Sequence, residues 1–209
     1  DQIANGVGKV RHMFGDGFPV PIVMRVRISP HTGYGSQHSG APSALFGLFP
    51  GWRIVTPSNA FDYIGLMNSA LACDDPVVVF EHTELYQKEF EVPAGDRDFF
   101  IPFGTARVVR PGSACTVLAT SVMVQNAIRA AEEAGIDAEV IDLRSIDHHG
   151  IDWQRIGQSI DKTGRVVIAE QTARSLSMGG TWAAEIQERF FDCLDHEILR
   201  VTGGLAAPT

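Results

Sequence analysis

From residue 115 to residue 201, short apolar runs alternate with longer amphipathic stretches, and this alternation restricts the possible folds more than any other feature of the chain. Residues 115–120 (CTVLAT), 138–143 (AEVIDL), 165–169 (RVVIA) and 197–201 have the length and apolar content of strands. Between the first two, Ser121 stands where a helix N-cap belongs, and Val124, Ala127, Ile128, Ala131 and Ala134 recur at spacings of three and four, with Gly135 as a left-handed stop. Residues 153–160 and 180–191 repeat the helical pattern. Strands separated by helices of this length require crossover connections, so a largely parallel sheet is expected.

The first half carries a second set of the same signals. Ile3, Val7, Val10 and Met13 make one apolar helical stripe ended by Gly15, and residues 22–28 alternate as a strand stopped by Pro30. Residues 53–56 predict another strand, Ser58 a helix N-cap, and Phe61, Ile64, Leu66 and Ala70 the helix that Asp74-Asp75-Pro76 breaks. Residues 76–81 (PVVVFE) are a continuous apolar run, as in a strand covered on both faces. From 82 to 112 the composition turns charged and rich in proline and glycine, which suits an inter-domain connection. The expected class is therefore α/β: part of one α/β domain over 1–104, then a small complete one over 105–209 with a mostly parallel sheet.

Charge and composition remove several functions. Lys and Arg total 17 against 25 Asp and Glu, a formal charge of −8. Such a surface repels phosphate backbones, so non-specific nucleic-acid binding is not expected. The longest apolar runs fall far short of the roughly 18 residues a membrane-spanning helix needs. Cys73, Cys115 and Cys193 are far apart, with no CxxC pair, which suits a reducing cytoplasm. The chain opens at Asp1 without an initiator Met or a targeting pattern, as expected of a piece of something longer.

The chemistry narrows by elimination. Seven histidines are present, but no HExxH, no HxH and no paired Cys/His spacing, so no metal site is expected; His148-His149 beside Gly150 reads as a solvated turn. There is no GxSxG elbow, and neither GxGxxG nor GxxxxGK[ST] occurs. Met178-Gly179-Gly180-Thr181 reads as a helix entry. What remains is His38 in Gly35-Ser36-Gln37-His38-Ser39-Gly40, a glycine-bracketed loop after a strand. Open α/β sheets bind ligands at the carboxyl ends of their strands, and imidazole is suited to proton traffic near neutral pH. The residues alone leave two roles open for His38, proton transfer or hydrogen bonding within its own loop.

At this loop a family resemblance appears. Gly35-Ser36-Gln37-His38-Ser39, Phe49-Pro50-Gly51, Val55-Thr56-Pro57-Ser58 and Asp74-Asp75-Pro76-Val77 with Glu81-His82 resemble, in order, the beta subunit of thiamine-diphosphate-dependent 2-oxoacid dehydrogenases of the transketolase superfamily. Ile101-Pro102-Phe103-Gly104-Thr105-Ala106, Val140-Ile141-Asp142-Leu143-Arg144, Lys162-Thr163-Gly164-Arg165 and Arg200-Val201-Thr202-Gly203 continue the likeness. Pyruvate, branched-chain 2-oxoacid and acetoin dehydrogenases are branches of this family.

The resemblance implies a partial transketolase-like pyrimidine-binding domain followed by a transketolase C-terminal-like domain. It implies oxidative decarboxylation of a small 2-oxoacid with acyl transfer to a lipoyl group. The partners implied are an alpha subunit in an alpha2beta2 heterotetramer and a lipoyl acyltransferase. Thiamine diphosphate would be shared with the alpha subunit, which would also hold its magnesium. His38 matches the family histidine assigned to proton transfer, and the glutamate that activates the aminopyrimidine is expected upstream of Asp1. In some members the segment matching residues 70–75 holds a monovalent cation, but Cys73 stands where relatives usually have Asp. His148-His149-Gly150 replaces a more usual Arg-Pro-Leu, and residues 174–180 (RSLSMGG) replace Arg-Thr-Gly-Gly-Phe-Gly, which leaves the branch open. Transketolase, 1-deoxyxylulose-5-phosphate synthase and a non-catalytic assembly module are the rival readings. Few basic residues flank the His38 loop, only Arg25 and Arg27, which disfavours the enzymes of phosphorylated sugars.

Overall fold

The computed structural model describes residues 2–30, 32–35, 37 and 39–203. The described residues form two sheets. The first has the order β1-β3-β2, with β1 at Val23–Ile28, β2 at Arg53–Val55 and β3 at Val77–His82, all parallel. β3 is central and every residue in it is buried, which is what its unbroken apolar run requires.

The crossover between β2 and β3 is helix α3, Ala60–Leu71. Its cap is not Ser58 as the sequence suggests but Asn59, whose side chain accepts from Asp62 N at 2.8 Å. Ser58 is fully buried and bonds elsewhere. Gly65 lets the helix meet residues 97–101 at close range, since a Cβ there would sit 2.6 Å from Ile101 Cγ1. Hydrogen bonds hold the same segment to the helix: Ile101 N to Gly65 O (3.1 Å), Ser69 Oγ to Ile101 O (2.7 Å) and Asn68 Nδ2 to Phe99 O (2.9 Å). The charged, proline-rich connection is therefore irregular but anchored. Two short helices, α1 (Gly8–Met13) and α2 (Ser43–Gly47), flank the first sheet, and a single π-helical turn precedes α1 over Gln2–Val7.

The second sheet has the order β4-β6-β5-β7-β8. Strands β5 (Cys115–Ala119), β6 (Ala138–Asp142), β7 (Val166–Ala173) and β8 (Leu199–Gly203) are parallel. The edge strand β4 (Arg107–Arg110) is antiparallel to β6, and it is too short and too close to Pro111-Gly112 to be read from pattern. Helices α4 (Val122–Ala134), α5 (Trp153–Thr163) and α6 (Met178–Phe190) make the crossovers, and Gly135 ends α4 at φ +64°. Ser121 does occupy the N-cap position of α4, but with φ 50° and no capping bond from its side chain.

The two sheets share one apolar core. Phe46, Trp52, Ile54 and Phe80 from the first pack in the same cluster as Leu118, Ile141, Ile156 and Trp182 from the second. Backbone bonds stitch the junction: Thr56 N to Arg144 O (2.8 Å), Ile146 N to Ile54 O (2.9 Å) and Ser121 N to Thr56 O (3.3 Å).

Candidate active site

Because β1, β2 and β3 are parallel, all three end on one side, at Ile28, Val55 and His82. The segments that leave them there are the glycine-rich loop, the Thr56-Pro57-Ser58-Asn59 turn and a 3-10 turn at Thr83–Gln87. His38, like His31 and Ser36, lies outside the described residues. The described part of its loop is held at both ends. Ser29 is fully buried; its carbonyl accepts from Thr32 Oγ1 (2.7 Å) and its hydroxyl from Thr83 Oγ1 (3.1 Å). Ser39 is fully buried at the other end, and the Arg27 guanidinium lies 5.1 Å from the centre of the Tyr34 ring.

On the α3 face of the same edge is a carboxylate that the sequence reading gave no role. Glu81 is 5% exposed, and its two oxygens accept four bonds. Oε1 takes Arg25 Nε (2.6 Å) and Tyr63 OH (2.9 Å); Oε2 takes Arg25 Nη2 (3.0 Å) and Tyr86 OH (2.5 Å). Burial by itself raises the Glu81 pKa, but the bonds from Arg25, Tyr86 and Tyr63 outweigh it and hold the carboxyl below its ordinary value. Tyr63, through burial and its bond to Glu81, is pushed up to about 12. The signal in the sequence was a glutamate closing a doubly covered apolar strand, since such a carboxylate requires a cation, and Arg25 lies on the neighbouring strand.

Part of the carboxyl edge of the second sheet is closed by the first. Ser58 Oγ donates to Asp142 Oδ2, and Asp142 Oδ1 accepts from Arg144 N at 3.0 Å. Arg144, at φ 59°, reaches the fully buried Asp62 with Nη2 at 2.5 Å, and Asn59 Nδ2 binds the other Asp62 oxygen at 2.7 Å. Burial pushes Asp142 up to about 7, with Asp62 adding to the shift and the bonds from Ser58 and Arg144 opposing it. The cavity between the two edges, lined by Thr56, Ser121 and Glu170 among others, is only about 40 Å³. That is room for roughly one to three waters.

His148 and His149 are exposed and in edge contact with each other, as a solvated turn predicts. In the segment 70–75, the Asp75 carboxylate is paired with Arg11, the Asp74 carbonyl accepts from Val20 N (2.8 Å), and Asp75 N approaches Cys73 Sγ (3.4 Å). Among the described residues no group of three or more His, Cys, Asp or Glu side chains is arranged to hold a metal ion. No helix among them is long and apolar enough to cross a membrane.

Comparison with known proteins agrees with this architecture. Residues 7–89 match the model of the transketolase pyrimidine-binding domain, and residues 104–208 that of the transketolase C-terminal domain. Among curated proteins, the 2-oxoisovalerate dehydrogenase subunit beta of Pseudomonas aeruginosa is 36% identical over 97% of this chain and 62% of its own length. The mitochondrial pyruvate dehydrogenase E1 component subunit beta of Caenorhabditis elegans is 38% identical over 97% of this chain and 59% of its own. The acetoin:2,6-dichlorophenolindophenol oxidoreductase subunit beta of Cupriavidus necator is 34% identical over 93% and 57%. The chain thus spans about three-fifths of the length of these relatives. Among solved structures, a split-gene transketolase described as an inactive beta4 tetramer superposes with a TM-score of 0.69 over 96% of this chain and 65% of its own, at 20% identity, which speaks to the fold. Two sheets, parallel except for the edge strand β4 and joined through one core, with both domain models matched in order along the chain, make it a member of the transketolase family, carrying the pyrimidine-binding and C-terminal domains and similar to the beta subunits of 2-oxoacid dehydrogenases.

Proposed function

We propose that this chain serves as beta subunit of a 2-oxoacid dehydrogenase, with its domains meeting at residues 104/105, a cytoplasmic location and an alpha subunit as partner in an alpha2beta2 assembly. The observation that carries the reading is that relatives 36–38% identical over 97% of the chain are named as beta subunits of pyruvate and 2-oxoisovalerate dehydrogenases. Acetoin oxidation is the second reading, favoured by the relative from Cupriavidus necator.

The cofactor of this reading is thiamine diphosphate, which supplies the electron sink for decarboxylation of the 2-oxoacid. The Glu81 carboxylate at the end of β3 has both oxygens fully engaged, so it is not available to activate an aminopyrimidine. That role falls to a glutamate upstream of Asp1, and the diphosphate and magnesium to the alpha subunit. A monovalent cation at residues 70–75 would have to do without the Asp75 carboxylate, which is occupied by Arg11. The contribution of this chain is one wall of the site. In this reading His38 serves in proton transfer and in placing the lipoyl group of the acyltransferase.

The test uses the complete assembly with its alpha subunit, assayed with pyruvate, 4-methyl-2-oxopentanoate and acetoin. Replacing His38 by Ala should lower acylation of lipoate by about 10²–10⁴-fold, the usual worth of a positioned acid-base group. The 209-residue chain alone should show no turnover with thiamine diphosphate. Undiminished lipoate acylation in the variant would leave His38 as a loop residue and favour an assembly role.

A further inference from the structure

A second cavity, of about 340 Å³, opens on the α3 side of the first sheet. Its walls are apolar: Pro57 comes from the turn before α3, Ala60 and Ile64 from the start of α3, and Leu85 and Phe90 from the segment after β3. Its charged lining is Arg25, Glu81 and Lys88, one net positive charge in a chain whose total is −8.

The acceptor atoms of Glu81, Asn59 and His82 Nδ1 on this lining are already used. Glu81 receives two bonds from Arg25 and one each from Tyr63 and Tyr86, which fills both oxygens. The Asn59 oxygen is engaged by Asp62 N and the His82 Nδ1 by Glu84 N. Arg25 spends only Nε and one Nη2 hydrogen on Glu81, its side chain is 62% exposed, and Lys88 adds an exposed ammonium. The charged groups left to meet a ligand are therefore donors only. A cation would face two positive groups and a saturated carboxylate. A phosphate dianion would be under-neutralised by one net charge. The volume is at the lower end of the range for small-molecule pockets.

We propose that this cavity binds a small monocarboxylate with an apolar body, its carboxylate on Arg25 and Lys88 and its hydrocarbon or aryl part against Pro57, Ala60, Ile64 and Leu85. The same geometry explains why Glu81 is buried at this point. By holding Nε and Nη2, it fixes the guanidinium plane so that its remaining N–H edge stands ready, at no further entropic cost, for a planar carboxylate. The argument for this site uses none of the residues assigned to the dehydrogenase reading and does not depend on it.

The test is titration of the intact protein with phenylacetate by calorimetry and saturation-transfer NMR, with 2-phenylethylamine as the cationic counterpart. Phenylacetate should bind saturably and the amine should not. Arg25→Gln should weaken phenylacetate at least tenfold, since a hydrogen bond to a charged group is lost. Ala60→Leu, which fills the apolar wall without touching the ion pair, should abolish binding and remains decisive if the Arg25 variant does not fold. Failure of phenylacetate to saturate, equal binding of the amine, or unchanged affinity in Ala60→Leu would each overturn the proposal.

Discussion

Asp142 offers a test of how the two sheets are joined, because it is a carboxyl group fully buried where they meet. Its folded pKa of about 7 lies above the ordinary value of 3.8. With the folded value raised, the protonated form is the one the fold favours. Between the two values the unfolded chain gives up its proton while the folded chain keeps it, so this contribution to stability is complete below about pH 4 and is lost as pH climbs to 7. From pH 5 to pH 8 the loss spans the two pH units below the folded value, and at 1.36 kcal/mol per unit it amounts to about 3 kcal/mol. Asp142→Asn removes the titration while keeping the contacts, since the amide oxygen can accept from Arg144 N and the amide nitrogen can donate to Ser58 Oγ. Urea unfolding of both proteins at pH 5 and pH 8 isolates the effect, because all other groups titrate alike in the two. The parent should lose about 3 kcal/mol more than the variant over that range, and the variant should be the more stable at pH 8. Parallel pH dependences would mean that Asp142 is ionised or solvated in the fold, and the account of the junction would fail.

Two further outcomes follow from packing and capping. Phe80→Ala, deep in the core shared by both sheets, should cost about 3–5 kcal/mol; denaturant unfolding followed by tryptophan fluorescence and by circular dichroism should still show one coincident transition, whereas two separate transitions would show that the sheets fold independently. Asn59→Ala should cost about 1 kcal/mol through loss of the α3 cap; an unchanged urea midpoint would return the capping role to Ser58.

The strands and helices were legible because a side chain's direction repeats every two residues in a strand and every 3.6 in a helix, so burial on one face or both prints itself on the sequence locally. The run at 76–81 announced a strand covered on both faces, Gly135 marked the end of α4, and the motif order along the chain announced the family. The capping of α3 shows where local reading stops: Ser58 and Asn59 are both good caps in isolation, and the choice fell to Asn59 because Asp142, 84 residues away, takes the Ser58 hydroxyl. β4 was hidden for a related reason, since a four-residue edge strand exists only by virtue of the partner that pairs with it.

Local periodicity thus determined which segments are strands and helices, and the Gly35–Ser39 motif determined where to look for chemistry, both being properties of neighbouring residues. The closing of one sheet edge by the turn from the other, the saturation of Glu81 by Arg25, Tyr63 and Tyr86, and the pocket beside it were settled only by the tertiary structure. Each depends on groups brought together from distant parts of the chain, where burial makes the satisfaction of every charge and hydrogen bond the deciding cost.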